Sequence, residues 1–199
     1  MCERSQDLRG VVVAKFTIIR EETASDTTNR IYKEILSVKH LRSVPNFFKT
    51  LANSAAVLEG TWCVYRNVST RGSISEVLKE MMFVAISAAK QCAYCEAAHL
   101  AFCRTLKVDP EADDNLGNNI DALRPERTRE IIRFSVKAGT DPKGLTDGDY
   151  DALKRHGVDE SEMIEIVAMA AFATYAITVA DALKLEVDNG PNNPDCLRE

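Results

Sequence analysis

Two cysteines and a histidine lie close together in the segment Cys92-Ala-Tyr-Cys95-Glu-Ala-Ala-His99. On a helix these three side chains share one face, because positions i, i+3 and i+7 return within a fraction of a turn. A reactive thiolate needs a group that removes its proton near neutral pH, and an imidazole titrates in that range. A second sulfur within reach can then close a disulfide. The spacing therefore predicts redox chemistry at a dithiol, with His99 as the base.

The two sulfurs differ in what would ionise them. Cys92 stands where a helix is expected to begin, and the unpaired N–H groups of a helix start favour a thiolate. Cys95 lies one turn further in and has His99 four residues later, so the imidazole can take its proton directly or through water. Glu80 comes twelve residues before Cys92, so one helix and a tight turn can return its carboxylate to His99. The residues alone favour Cys92 as the more easily ionised sulfur.

Each of these residues also has a simpler explanation. A CxxC pair begins many zinc and iron–sulfur sites, but a closed metal site usually needs four ligands. Cys92, Cys95 and His99 supply three, and the other two histidines have no paired motif around them. Taken singly, His99 is typical of a structural histidine, Glu80 of a solvated carboxylate and Tyr94 of a packing residue. Their combination favours a dithiol site without a metal.

The overall composition is that of a globular protein with no preference for a phosphate backbone. Hydrophobic side chains make up 45% and charged ones 28% of the 199 residues, and the net charge is −5. Binding DNA or RNA requires clustered Lys and Arg, which this sequence lacks. The length suits one domain with a substantial core. These values predict a single domain over residues 1–199 and no nucleic-acid partner.

The apolar segments indicate a cytoplasmic protein that does not enter a membrane. Val11–Ile19 is interrupted by Lys15 and has no signal-peptide cleavage pattern. Ile166–Ala180 is the longest uncharged apolar stretch, and it falls short of the roughly 20 residues that span a bilayer. In a reducing cytoplasm a close cysteine pair is more often redox-active or metal-binding than a structural disulfide. Cys63 and Cys103 lie in apolar helical patterns and are predicted to be buried.

Helical periodicity runs through almost the whole chain and predicts an all-α bundle of about eight helices, with its core at about residues 20–187. Ser54 and Ser75 precede apolar helical patterns at capping positions, and Asp26 or Thr27 is expected to cap the first helix. A break near Lys90-Gln91 should separate the helix that carries Glu80 from the helix that begins at about Cys92. Later helical patterns cover Pro125–Ala138, Thr146–His156 and Ser161–Val187.

Three segments depart from this helical pattern. Polar residues 111–119 are predicted to form a loop, and residues 188–199, which are rich in Pro and Asn, a loose tail. The β-branched run Val11–Ile19 is either a strand or an extended arm. Leu106-Lys-Val-Asp109 and Leu185-Glu-Val-Asp188 each follow a long Ala-rich pattern, which hints at two related helical halves.

Glu80 followed by Cys92-x-Tyr94-Cys95-x-x-x-His99 resembles the core motif of the alkyl hydroperoxidase D-like (AhpD-like) proteins of the carboxymuconolactone decarboxylase superfamily. Upstream, Val44-Pro45-Asn46-Phe47-Phe48 and the helix after it resemble the peroxidase-related branch of that superfamily. The likeness covers about residues 20–187. It implies an AhpD-like helical fold, assembly as a homo-oligomer (dimer, trimer or hexamer) and thiol-dependent peroxidase activity.

The resemblance also implies a role for each site residue. Cys95 would attack the hydroperoxide and become a sulfenic acid, and Cys92 would resolve it as a disulfide. Glu80 and His99 would form the proton relay. No cofactor is implied, but an unknown disulfide-reducing protein or an external thiol or lipoyl reductant must recharge the pair. We follow the resemblance in assigning Cys95 as the nucleophile, because contact with a base matters more than part of a helix dipole.

Tyr94 departs from the best-known AhpD pattern, which has a histidine between the two cysteines. A phenol with a pKa near 10 can donate a hydrogen bond, but it is a poor base at neutral pH. Participation of Tyr94 in proton transfer is therefore left open. Two other functions also remain open, a decarboxylase or lactone-handling enzyme like other members of the superfamily and a redox sensor that uses the Cys92–Cys95 disulfide as a switch.

Overall fold

The computed structural model describes residues 15–188, and every regular element within that range is helical. This confirms the predicted all-α fold. Cys2, Cys196, most of the predicted tail and the first part of Val11–Ile19 lie outside the described residues. The α-helices are α1 (Asp26–Val38), α2 (Asn46–Leu51), α3 (Ala55–Thr70), α4 (Glu76–Ala89), α5 (Ala93–Thr105), α6 (Pro110–Asn118), α7 (Glu126–Thr140), α8 (Asp147–Arg155) and α9 (Glu160–Leu183).

Helix α4 forms the centre of the bundle. Its residues 78–87 are buried without a break, and it packs against α5, α6, α7 and α9. The Ser75 hydroxyl caps its start by accepting a hydrogen bond from the Leu78 N–H at 3.3 Å, as the sequence predicts. The polar side chains within residues 78–87 are therefore placed in the core, and Glu80 is one of them.

The break between α4 and α5 lies where the sequence predicts it. Gln91 adopts a left-handed backbone conformation with φ of 59°. The Cys92 N–H donates to the Ser87 carbonyl at 3.0 Å, which closes the end of α4 in a Schellman-type turn. A non-glycine residue in this conformation costs roughly 1 kcal/mol, which the packing of α5 along α4 must offset. The turn brings Cys92 to the first position before α5.

The segment predicted as a loop at 111–119 is instead the helix α6. The Asp109 carboxylate accepts a hydrogen bond from the Glu111 N–H at 2.8 Å, and Pro110 occupies the first helical position. Both are favourable helix-start features. Leu116 is buried and holds the helix against the bundle. The prediction was wrong because the polar composition outweighed a start signal that was present.

The start of α1, the end of α9 and the residue Asp188 differ from the predictions. Ser25, rather than Asp26 or Thr27, caps α1 by accepting a hydrogen bond from the Thr28 N–H. Helix α9 ends at Leu183 instead of continuing to Val187, because Lys184 turns left-handed with φ of 55°. Asp188, predicted to begin a loose tail, is buried and hydrogen-bonded.

The described part of the apolar N-terminal run is not a strand. Residues 17–20 have no regular structure, and the Ile19 N–H donates to the Lys49 carbonyl of α2 at 3.1 Å. The Tyr32 hydroxyl donates to the Ile19 carbonyl at 2.9 Å. This favours the extended-arm alternative for the residues that the structure describes.

Helix α9 is the one helix among residues 15–188 that is long and apolar enough to cross a membrane, judged by length and composition alone. Half of its most apolar window is buried inside the bundle. A core helix of this fold has the same properties, since α9 packs against α3, α4, α5 and α7. That the chain consists of two related helical halves, as residues 106–109 and 185–188 hinted, remains a prediction.

Candidate active site

Glu80 and His99 form a buried pair between α4 and α5. The His99 Nδ1 atom lies 2.5 Å from Glu80 Oε2, and the two residues are 8% and 0% exposed. The imidazole stacks on the Phe83 ring with 3.5 Å between centroids and 12° between planes. Hydrogen bond and stacking together fix both the position and the plane of the imidazole. The structure thus brings together two of the residues that the sequence analysis singled out.

Lys39 completes this buried cluster, and the sequence analysis missed it. Its Nζ atom lies 2.9 Å from Glu80 Oε1 and 2.5 Å from Glu76 Oε1. It also lies 4.6 Å from the centre of the Phe102 ring. A lysine just after α1 has an ordinary explanation as a solvated cation at a helix C-terminus. No signal in the sequence distinguishes Lys39 from such a residue.

The charges of this cluster stabilise each other. Burial by itself raises the pKa of the Glu80 carboxyl, but the charge of Lys39 and the hydrogen bond with His99 lower it to about 2. Burial also disfavours the charged Lys39 ammonium, yet Glu80 and Glu76 raise its pKa well above the ordinary value. A buried ion pair persists only with such compensation. Glu80 is therefore a carboxylate throughout the neutral range.

The two sulfurs lie at the start of α5, and both are buried free thiols. The pKa of Cys92 is lowered, first because the Cys95 thiol donates a hydrogen bond to its sulfur, and burial opposes this effect. The same interaction raises the pKa of Cys95, and burial raises it further. The negative charge of Asp181 on α9 opposes ionisation of both. The more easily ionised sulfur is thus Cys92, as the residues alone indicated.

Only one of these sulfurs lines the cavity beside His99. The cavity has a volume of about 50 Å³, which is enough for a few water molecules or a ligand of similar size. Cys95 and His99 line it, whereas Cys92 does not. Its wall is mostly aromatic and includes Lys39, Phe47, Phe48, Tyr65, Phe83, Tyr94, Phe102 and Phe172. The thiol with the lowered pKa, Cys92, therefore lies outside the cavity, and the thiol with the raised pKa, Cys95, lies on its wall.

The hydroxyl of Tyr94 makes its hydrogen bonds to Asp188 and to the backbone of Phe47. It donates to Asp188 Oδ2 at 2.8 Å and accepts from the Phe47 N–H at 3.0 Å. The other Asp188 oxygen accepts from the Asn46 N–H at 2.9 Å. Burial, followed by the charge of Asp188, raises the pKa of Tyr94 well above its ordinary value. Tyr94 thus joins the start of α5 to α2 and to the segment after α9, and a protonated phenol in these contacts is no base.

The structure also shows the burial of Cys103 and Cys63 and bears on the possibility of a metal site. Cys103 is buried as predicted, and burial raises the pKa of its thiol. The prediction for Cys63 was wrong, because it is exposed on the outer face of α3. Among residues 15–188, no group of three or more His, Cys, Asp and Glu side chains is arranged to hold a metal ion.

The segment that carries the site matches a known family. Residues 56–112, which include Glu80 and the whole cysteine segment, match the carboxymuconolactone decarboxylase family. This match confirms the resemblance inferred from the motif. No curated protein matches the chain.

Several solved structures have the same fold. A peroxidase-related protein from Ralstonia eutropha JMP134 with an alkylhydroperoxidase AhpD core is 23% identical, covers 95% of this chain and 100% of its own, and superposes with a TM-score of 0.82. A peroxidase-related protein from Silicibacter sp. TM1040 is 24% identical, with coverages of 81% and 85% and a TM-score of 0.75. The debrominase Bmp8, in complex with 2,3,4-tribromopyrrole, is 16% identical, with coverages of 92% and 97% and a TM-score of 0.76. At these low identities the superpositions show that the chain has the AhpD-like fold.

Proposed function

We propose that this AhpD-like chain is a thiol-dependent peroxidase that reduces hydroperoxides at Cys95, with Cys92 as the resolving cysteine. One observation carries the proposal, namely that Cys95 and His99 line the same cavity while the buried Glu80 holds His99 by its Nδ1 atom. Fold and family support a role in this superfamily. The site supports the specific chemistry.

His99 is the base in this proposal. When neutral His99 donates its Nδ1–H to the Glu80 carboxylate, the Nε2 atom at the other edge of the ring is an acceptor. The carboxylate also stabilises the imidazolium that forms when Nε2 takes a proton, as it does in other carboxylate–histidine pairs. The pair thus supplies both the acceptor and the countercharge that a buried thiol needs.

The oxidation step leaves atoms and electrons balanced. The Cys95 thiol loses its proton to His99, and its sulfur attacks the terminal oxygen of ROOH. The O–O bond breaks, and the leaving alkoxide takes the proton back from His99 to give ROH. Cys95 is then a sulfenic acid, oxidised by two electrons.

Cys92 then closes the disulfide. Its thiolate attacks the Cys95 sulfur, the S–O bond breaks, and the hydroxide leaves as water with the proton that Cys92 released on ionising. The lowered pKa of Cys92 suits this step, because the thiolate is the attacking form. Its place outside the cavity keeps it from competing for the peroxide. An external dithiol or lipoyl reductant, delivered by an unknown protein in the cytoplasm, restores both thiols. The active form in this proposal is a homo-oligomer.

The first experiment treats the reduced protein with one equivalent of hydrogen peroxide or of a small organic hydroperoxide. Mass spectrometry should locate a new Cys92–Cys95 disulfide, and a dithiol should support repeated turnover. Cys95→Ser should abolish peroxide consumption, whereas Cys92→Ser should leave a trappable sulfenic acid on Cys95. Cys103→Ser is the matched control, since that thiol is buried in the same helix, and it should leave turnover unchanged.

Other outcomes identify the competing functions. A sulfenic acid trapped on Cys92 in Cys95→Ser would reverse the assignment of the two sulfurs. One slow oxidation without turnover would indicate a redox sensor. Decarboxylation that survives both cysteine substitutions would indicate the decarboxylase alternative.

A further inference from the structure

Four charged or polar side chains from three segments form a chain of contacts that ends at the cavity. The order is Glu76, Lys39, Glu80 and His99, joined by contacts of 2.5, 2.9 and 2.5 Å. Lys39 follows α1, the two glutamates lie on α4, and His99 lies on α5. The Lys39 side chain is 3% exposed, and that of Glu80 is 0% exposed. The contacts between Lys39, Glu80 and His99 are thus shielded from water.

The state of Glu80 decides which nitrogen of His99 carries the proton. An ionised carboxylate only accepts hydrogen bonds, so neutral His99 must place its proton on Nδ1 and leave Nε2 as an acceptor. A protonated carboxyl can instead donate to Nδ1, which moves the imidazole proton to Nε2. In that tautomer the free edge of the ring is a donor and cannot take a proton from a thiol.

We propose that Lys39 is a positioning residue whose ammonium keeps Glu80 ionised and thereby leaves His99 Nε2 free as the proton acceptor at Cys95. A carboxyl as deeply buried as Glu80 favours its neutral form unless a cation is close. The role of Cys95 in this inference rests on the proposed function. The link from Lys39 through Glu80 to the tautomer of His99 does not.

The other titratable groups around Glu80 cannot replace this cation. Glu76 on α4 is negative, and Tyr65 on α3 and Cys103 on α5 are neutral because burial raises both pKa values. Lys79 precedes Glu80 in sequence, but its Nζ atom pairs with Glu165, 3.0 Å away.

Helix α9 brings no second cation to the Glu80 carboxylate. From α9, Phe172 and Ala176 line the cavity and do not titrate. Asp181 on the same helix acts on the two sulfurs and is itself negative. Lys39 is therefore the cation in contact with Glu80 among the described residues.

The test compares Lys39→Met with the matched control Lys79→Met. Both remove the ammonium of a buried lysine that is paired with a glutamate, but only Lys39 touches Glu80. Nitrogen-15 NMR of histidine-labelled protein reports the tautomer of each of the three histidines, and His99→Gln assigns the signal. At a pH where the spectrum shows neutral imidazole, wild type and Lys79→Met should have the proton on Nδ1. Lys39→Met should have it on Nε2.

A second readout is the rate at which iodoacetamide alkylates Cys95, followed by mass spectrometry without any peroxide. Lys39→Met should slow it by about 10- to 100-fold near neutral pH, which is at or below the lower limit of roughly 10²-fold for losing a general base, because the imidazole itself is still present. Lys39→Arg, which keeps the charge, should restore both the rate and the tautomer. In a Glu80→Gln background, Lys39→Met should change the rate by less than about three-fold, because two residues that act through one link are not additive.

If Lys39→Met does not fold, Lys39→Gln is the replacement, since its amide can hydrogen-bond Glu80 without a charge. A neutral variant that keeps the proton on Nδ1 and the wild-type alkylation rate overturns the inference. An equal effect from Lys79→Met also overturns it. If the tautomer changes as expected but no hydroperoxide is turned over, the role of Lys39 stands and the proposed function fails.

Discussion

Among the described residues, the buried lysines Lys39 and Lys79 each pair with a glutamate at a similar distance, but the two glutamates have different further partners. Lys39 and Glu80 are 2.9 Å apart, and Lys79 and Glu165 are 3.0 Å apart, with both lysine side chains almost fully buried. The difference lies in the other partners of each carboxylate. Glu165 accepts hydrogen bonds from the backbone N–H groups of Ser73 and Ile74, whereas the second carboxylate oxygen of Glu80 is hydrogen-bonded to His99.

These partners explain what each pair does. The Glu165 pair ties the turn between α3 and α4 to α9, and Lys79 adds a hydrogen bond to the Arg71 carbonyl of the same turn. Gly72 in this turn has φ of 100° and no room for a Cβ, because the Glu165 carboxylate lies against it. This pair therefore fastens backbone. The Glu80 pair instead holds the His99 side chain at the cavity. Two ion pairs of the same kind are thus linked to the candidate chemistry in one case and to the fold in the other.

The largest difference between the two pairs should appear when each glutamate is replaced by glutamine. Glu80→Gln should lower peroxidase turnover by about 10²- to 10⁴-fold, since the amide cannot stabilise the imidazolium of His99. Glu165→Gln should leave turnover of the folded protein within about three-fold and instead lower its unfolding temperature. Steady-state kinetics and thermal unfolding of both variants measure this. Equal losses of turnover would show that the two pairs do not differ in role.

Acid should weaken the Glu80 pair in a defined pH range. The folded pKa of Glu80, about 2, is below the ordinary value of 4.5, so its stabilisation is present above about pH 4.5 and is lost as pH falls through 2. The full effect is about 3 kcal/mol. Urea unfolding at several pH values should show the difference between wild type and Glu80→Gln shrinking over this range. A difference that stays constant with pH would contradict the lowered pKa.

Lys79→Met tests the comparison by removing the lysine, rather than the glutamate, of the Lys79–Glu165 pair. It removes the cation from Glu165, whose side chain is 19% exposed, so water and two backbone N–H groups still solvate that carboxylate. We expect a loss of about 2 kcal/mol, below the usual cost of breaking a fully buried pair, with normal turnover per folded molecule. Urea unfolding and active-site titration check both parts. A fall in turnover comparable to that of Glu80→Gln would remove the distinction.

Asp188 is a further buried carboxylate, and we expect its contacts to affect turnover less than those of Glu80. Tyr94→Phe removes the hydroxyl that donates to Asp188 and accepts the Phe47 N–H, which should cost about 1 to 2 kcal/mol. Turnover should fall by less than about three-fold, because the hydrogen bonds of this hydroxyl are to Asp188 and Phe47. Thermal unfolding and peroxidase assays of the variant test this. A loss of two orders of magnitude in turnover would instead make Tyr94 part of the proton relay.

Most helices follow from local patterns in the sequence. Ser75 and the apolar positions after it predict α4, and the break near Gln91 predicts the start of α5, because caps and helical periods depend on neighbouring residues. The same local information was available for α6 in Asp109 and Pro110, although the polar residues after them suggested a loop. The Glu80–His99 contact also follows from local geometry, since a short turn returns α5 along α4.

The tertiary structure alone decided three features of the site. It placed Lys39 on Glu80, 41 residues away, joined Tyr94 to Asp188, 94 residues away, and exposed Cys95 rather than Cys92 to the cavity. Periodicity shows which face of a helix is buried, but it does not show which distant side chain meets a given atom there. Charges and hydroxyls can be buried only when such a partner arrives, so the chemistry of this site depends on packing between segments far apart in the chain.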